Sequence, residues 1–451
     1  MYVAKPTKEQ LAWHDLELGV LIHYGMEIYH PELPYPWYKT DLVRTELDPK
    51  TIHPTKLDPE QWVRSAYEMG AKYAVLVANH CTGFSLWNTK VNDFSIAHTD
   101  WQGGGGDICR VFIEACQKYG LKPGFYYSTG CNGYYNINDD LKWDFKSDYY
   151  QAYVKNVVAQ VTELWTEYGD LFEIWFDGGI IPPEQGGPDL APLLRKFQSK
   201  ALCFQGPRDY EHNLRWVGNE GGLAPENCWA TTNAGEARYD GTIPDEQAGV
   251  GDPDGKYYWP AETDTPNRSL SAYGGGWAWR ASEEHLVRSP EELLSCYVRS
   301  VGRNSNLLLG MAISTDGDFQ DEEQFKAFGA LLRKTFGTPK AMVEAPTLTD
   351  GCITLSLPEA QEVNYVVIRE VIEDGQLIRG FRILADGVPV YESACIGHKR
   401  IISFKDLTTR ETTRETTREI TREITREITR EITLEITATA GDAKIRDLAV
   451  Y

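Results

Sequence analysis

The feature that most constrains this chain is a succession of eight short, largely apolar runs, several ending on polar side chains and most separated by segments of helical spacing. The runs are residues 19–24 (GVLIHY), 72–78 (KYAVLVA), 121–128 (LKPGFYYS), 171–177 (LFEIWFD), 201–207 (ALCFQGP), 214–220 (LRWVGNE), 257–262 (YYWPAE) and 306–311 (NLLLGM). Such runs have the length and composition of strands buried on both faces. Between the first two, residues 58–70 carry Trp62, Ala66 and Met69 at helical spacing behind Asp58 as a cap and Pro59 in the first turn. Residues 107–119, 149–168, 290–303 and 321–336 read as helices too, and the glycines at 103–106, without the Lys-Ser/Thr of a phosphate loop, read as a hinge. Strands and helices in this order predict an α/β chain whose residues 1–338 form a (β/α)8 barrel of the TIM type.

From Gly337 the pattern changes to alternation with turn signals, at 353–357, 363–369, 381–385, 401–404 and 444–451. Short strands at this spacing predict a C-terminal β-sandwich over 339–451. It is interrupted at about 408–437 by repeats of TRET and then TREI. Period four matches neither strand nor helix, although as a strand it sets Ile and Arg on one face and Thr and Glu on the other. The repeat is read as an insertion that expands one hairpin and carries no chemistry.

The chain of 451 residues has a formal charge of -21, which disfavours nucleic acid and anionic membranes as partners and favours a neutral ligand. Its 13 Trp and 25 Tyr are side chains that stack on sugar faces while donating hydrogen bonds. Nine cysteines form no CxxC pair and read as scattered small apolar side chains. The N-terminal segment lacks the basic and apolar regions of a signal peptide, so the expected compartment is the cytoplasm, or the periplasm or exterior if a leader has been removed. No apolar run is long enough to span a bilayer.

A barrel gathers its strand ends at one mouth, and here those ends supply His23, His80, Tyr126, Asp177, Glu220 and Glu262. Asp177, delivered where the fourth run leaves the sheet and followed by two glycines, is a candidate nucleophile; the competing reading is a helix cap. His23 and His80 with Asp177 form a conceivable metal set, but neither HxH nor HExxH spacing is present, and no GxSxG marks a serine hydrolase. Two carboxylates among Trp and Tyr suit glycoside hydrolysis instead.

The segments LGVLIHYG (18–25), PWY (36–38), AKYAVLVANHCTGFSLW (71–87), GLKPGFYYS (120–128), IWFDGG (174–179), RWVGNEGG (215–222), WPAETD (259–264) and SVGRNSNLLL (300–309) resemble the α-L-fucosidases of glycoside hydrolase family 29 over essentially the whole chain. RWVGNE and PAE-D are similar to the branch that prefers α-1,3/1,4-linked fucose on branched glycans. The resemblance implies a retaining hydrolase without cofactor or metal, acting on terminal fucose of oligosaccharides or glycoconjugates. It assigns Asp177 as nucleophile and Glu220 as general acid/base, with Glu262 as the rival acid. It gives His23, Trp37, His80 and Tyr126 to sugar contacts, Glu262 to a sugar contact where it is not the acid, Trp175 and Trp277 to aromatic walls, and Arg268 to the remnant of a family Arg. Departures are NHCTGF, where the family commonly reads KHHDGF, and Pro36, where it has a Glu; two sugar hydrogen bonds are then either lost or supplied by others, Asn79 or Glu32 being the candidates. The alternatives are a fucosidase-like binding protein without turnover, or a glycosidase for a different deoxy or galacto-configured sugar.

Overall fold

The computed structural model describes residues 3–33, 47–138, 144–233, 249–404 and 428–451. Eight parallel strands close into a barrel: β1 (Leu18–His23), β2 (Tyr73–Asn79), β3 (Lys122–Tyr127), β4 (Glu173–Trp175), β5 (Leu202–Phe204), β6 (Asn213–Trp216), β7 (Ala261–Thr265) and β8 (Ser305–Ala312). β1, β2, β7 and β8 are buried along their whole length, because one face fills the barrel and the other lies under helices.

The helices are α1 (Lys8–His14), α2 (Pro59–Met69), α3 (Ile108–Tyr119), α4 (Asp148–Glu167), α5 (Ala191–Phe197), α6 (Pro290–Ser300) and α7 (Glu322–Phe336). Their ends follow the sequence signals. Asp58 caps α2 through the amides of Glu60 and Gln61, and Ser289 with Glu292 forms a capping box on α6. Among the described residues no α-helix joins β5 to β6.

The seventh strand differs from its sequence reading by four residues. Tyr257–Tyr258 pairs antiparallel with Thr231–Thr232 outside the barrel, and the barrel strand begins only after Pro260, at Ala261. Glu262 is therefore near the start of β7, paired with Trp216 and Asn306, and not at its end.

The C-terminal part is two antiparallel four-stranded sheets facing each other. One contains β9 (Ala341–Glu344), β11 (Tyr365–Glu370), β14 (Arg400–Ser403) and β16 (Ile445–Val450); the other contains β10 (Cys352–Glu362), β12 (Ile378–Ala385), β13 (Val388–Ser393) and β15 (Ile428–Thr439). Ile353, Ile368, Phe381, Ile432, Leu434 and Leu448 are among the residues that fill the space between them. β15 lies between β10 and β12 and is built from the tail of the repeat, so its last residues are central sheet and not inserted chain. Residues 408–427 of the repeat lie outside the described residues.

All nine cysteines are free thiols. Among the described residues no helix is long and apolar enough to cross a membrane.

Candidate active site

The mouth at the C-terminal strand ends holds a cavity of about 430 Å³, open end included, lined by Leu21, His23, His80, Tyr126, Trp175, Asp177, Glu220, Asp264, Gly274 and Trp277. Seven of these are residues singled out from the sequence.

Asp177 leaves β4 two residues after Trp175, and Gly178 (φ 68°) and Gly179 (φ 79°) turn the chain away through backbone that a side chain would strain. The carboxylate caps no helix, since the next helical turn begins behind Pro182. It accepts a 2.8 Å hydrogen bond on Oδ2 from the Tyr126 hydroxyl, supplied by β3. Burial, then the Asp177 charge, holds that hydroxyl far above the usual phenol range, so it remains a donor.

Glu220 lies four residues beyond β6. It is open to solvent at the mouth and crowded by protein on its other sides. Burial is the first cause of its raised pKa, the Asp177 charge adds to it, and a hydrogen bond from the Trp277 side chain opposes it. A carboxylate with a fixed donor thus faces a carboxyl that keeps its proton to higher pH, the asymmetry that separates nucleophile from acid.

The other wall is imidazole and indole. His23 ends β1; its ring packs 4.9 Å from that of Trp277 and edge-on to His80 at 5.7 Å. Burial, with the His80 charge second, lowers the His23 pKa to about 3, so it is a neutral imidazole. Its Nδ1 lies 3.3 Å from the Leu21 carbonyl, which places the ring proton there and leaves Nε2 as an acceptor. His80 Nδ1 stands 3.8 Å from Glu27 Oε1, and Glu27 is almost fully buried, its pKa raised by burial against the opposing effect of His80.

Several expected contacts are elsewhere. Glu262 lies inside the barrel beneath the cavity, fully buried, accepting from Tyr73 and Trp175; the shifted start of β7 sets it one pleat too deep to line the pocket. Arg268 is buried in a two-point pairing with Asp321, 3.1 Å from Nε and 3.2 Å from Nη2, and ties the segment after β7 to the start of α7. Asn79 is buried, donating to the Gly83 carbonyl and Ser85, and Glu32 pairs with His30 on the surface. Trp37 lies outside the described residues. Among the described residues no cluster of three His, Cys, Asp or Glu has the arrangement of a metal set.

Sequence reasoning missed Asp264 and Glu27. Asp264 is on the inward face of β7 two residues past Glu262, is nearly buried, and accepts a 2.6 Å hydrogen bond from the Trp216 indole. Burial, then the Glu220 charge, raises its pKa well above the usual range. The period-two step within AETDT was the available signal; placing the strand at 257–262 hid it.

The sequence profile of the α-L-fucosidase family matches residues 4–335. α-L-Fucosidase 1 of Arabidopsis thaliana is 27% identical over 448 residues, 88% of this chain and 81% of that one. A crystal structure from Bacteroides thetaiotaomicron, provisionally named an α-L-fucosidase, superposes with a TM-score of 0.86 at 31% identity, covering 100% of this chain and 99% of the other. A Ruminococcus gnavus GH29 fucosidase solved in complex with fucose shares the fold at a TM-score of 0.72 and 19% identity, over 100% and 96% of the two chains.

Proposed function

This chain belongs to the α-L-fucosidase family, glycoside hydrolase family 29, and from that premise we propose that it is a retaining, exo-acting hydrolase of terminal α-1,3/1,4-linked fucose on branched glycans. The observation that carries the proposal is one cavity lined by two carboxylates from different strand ends, Asp177 with a fixed donor and Glu220 with a raised pKa.

In the first step an Asp177 carboxylate oxygen attacks the anomeric carbon. The bond to the leaving oxygen breaks as Glu220 gives that oxygen its proton. In the second, Glu220 takes a proton from water, the hydroxide oxygen attacks the same carbon, and the bond to Asp177 breaks. Two inversions return the original configuration, which requires carboxyl groups about 5–5.5 Å apart. Tyr126 steadies the departing Asp177 carboxylate. Trp277 and Trp175 supply apolar walls on which the sugar's methyl group and ring carbons are dehydrated. The linkage preference is supported by Glu220 standing in the RWVGNE segment.

Two substitutions test the roles. Asp177→Ala is expected to lower kcat by at least about a thousandfold with the melting temperature kept. Glu220→Gln is expected to slow oligosaccharide hydrolysis by about 10²–10⁴-fold while costing aryl fucosides, whose leaving group needs little protonation, less than tenfold. Wild-type turnover in Asp177→Ala, or equal losses on both substrates in Glu220→Gln, would remove the assignment. Proton NMR of the first-formed product decides retention. A panel of α-1,2-, α-1,3-, α-1,4- and α-1,6-fucosylated and galactosylated oligosaccharides decides specificity, and binding without release on every member would leave a lectin-like protein.

A further inference from the structure

Beneath the cavity, inside the barrel, lie two carboxyl groups that the reaction above does not use. Glu173 opens β4 and Glu262 is the second residue of β7; both are fully buried. Glu262 accepts from two donors, the Tyr73 hydroxyl at 2.7 Å on Oε1 and the Trp175 indole N–H at 2.9 Å on Oε2. Gly19 makes room for this, since a Cβ there would fall 2.4 Å from the Tyr73 ring. The Glu173 carboxyl faces Glu262 and the Trp13 indole, neither of which brings it a fully formed hydrogen bond.

Two carboxylates in one dry interior cannot both be ionised, so the pair holds one proton between them. Burial raises Glu262 as well, but its two donors oppose the rise, so of the two it is the more readily ionised. Burial and the Glu262 charge push Glu173 well above the usual range.

What Glu262 holds is part of the active-site floor. The Trp175 ring lies between Phe204, parallel at 3.8 Å, and Tyr126, at 5.3 Å and 15°. Tyr126 in turn donates to Asp177. Trp175 also precedes Asp177 by two residues on the same strand exit. One carboxyl group therefore fixes the ring that packs on the nucleophile's donor and leads into the nucleophile's own backbone.

We propose that Glu262 is a positioning residue for the nucleophile, acting through the Trp175 ring and the Tyr126 hydroxyl. The inference rests on the reading of Asp177 as nucleophile. It assigns Glu262 a role other than acid/base or sugar contact.

The test uses the full chain and an aryl fucoside. Glu262→Gln leaves one amide oxygen to serve two donors, and is expected to lower kcat about tenfold with KM within twofold. In a Tyr126→Phe background, where the end of the relay is already missing, the same substitution should change kcat by less than twofold. A purely structural role predicts a lower melting temperature in both backgrounds and an unaltered kcat for the folded enzyme; that result, or additive losses in kcat, overturns the proposal. Should Glu262→Gln not fold, Tyr73→Phe removes one of the two donors with little change in packing. It is expected to lower kcat two- to threefold, again only when Tyr126 is intact, and no change overturns the proposal. Asp177→Ala runs alongside: an active Asp177→Ala defeats the parent assignment, whereas an inactive one with additive Glu262 and Tyr126 effects defeats the positioning role alone.

Discussion

Asp264 and Glu262 differ by one pleat on the same face of β7, roughly 7 Å along the strand, and that step decides which carboxyl meets the cavity. Burial and the neighbouring Glu220 charge keep Asp264 neutral at ordinary pH. Asp264→Asn replaces one neutral group by another, so kcat/KM should stay within about threefold and the basic limb of its pH profile should not move. A limb displaced downward by a full pH unit would mean that Asp264 is ionised and that its charge holds the proton on Glu220. With Glu220 as the proposed acid, the limb is its own, and its raised pKa should extend activity to higher pH than an ordinary Glu would allow. Because the hydrogen bond from Trp277 opposes that rise, Trp277→Phe should move the basic limb further up, as read from kcat/KM against pH. A limb that falls would contradict the assignment of the acid.

At the level of elements, β15 shows how a repeat becomes core. In TREI repetition an Arg follows each Ile at two residues, so one strand face alternates Ile and Arg. At position 434 the repeat breaks and Leu takes the Arg position, giving Ile432, Leu434 and Ile436 in succession on one face. Ile432 and Leu434 are fully buried between the sheets, whereas Arg430 is exposed. Leu434→Arg, which only restores the repeat, should put an unpaired cation in the sandwich core and destabilise it by at least about 3 kcal/mol, measured by denaturant unfolding. Arg430→Leu should change stability by less than about 0.5 kcal/mol. The same physics explains what could be read from sequence alone. Strands buried on both faces, such as β1, β2 and β8, announce themselves by uninterrupted apolar runs, and Asp58 and Ser289 announce their helices. β7 does not, because its inward face carries Glu262 and Asp264, polar residues that a pattern search takes for the end of a strand. β15 escaped for a related reason: a half-exposed strand rich in Glu, Thr and Arg lacks the contrast between faces, and β13, largely exposed along its length, lacks it too. The site was legible where strand ends carried it, and illegible where polar side chains were buried in pairs, as with Arg268 on Asp321.

Across the whole molecule, barrel and sandwich are joined by buried polar contacts as well as apolar ones. Val367, Ile401 and Ala449 from the sandwich belong to the barrel's own core cluster, and Phe336 packs on Tyr365 and Tyr451. Beside them Lys399 reaches Glu17 at 2.7 Å and 2.8 Å, and Tyr297 donates to the same carboxylate. The His14 ring, from α1, stacks on His398 from the sandwich at 4.9 Å. Burial lowers His14 from 6.5 to about 3, and burial followed by the His14, Lys399, Arg369 and Arg446 charges puts His398 well below its usual value. Both are neutral when folded, while the unfolded chain protonates them near pH 6.5. The unfolded state therefore binds more protons between about pH 6.5 and 3, and stability falls as pH drops through that window, by up to about 1.4 kcal/mol per pH unit for each histidine. His398→Phe should flatten the melting temperature against pH there; an unchanged slope would show that His398 makes no contribution to acid lability.

The quartet unit has a last implication. Strand side chains alternate with period two, so gaining or losing four residues upstream of β15 moves nothing from one face to the other. Slippage by whole units during replication would be silent to the sheet, while a slip of one residue would turn its apolar row outward. A change of copy number by whole units therefore keeps Ile432 and Leu434 facing the sandwich core.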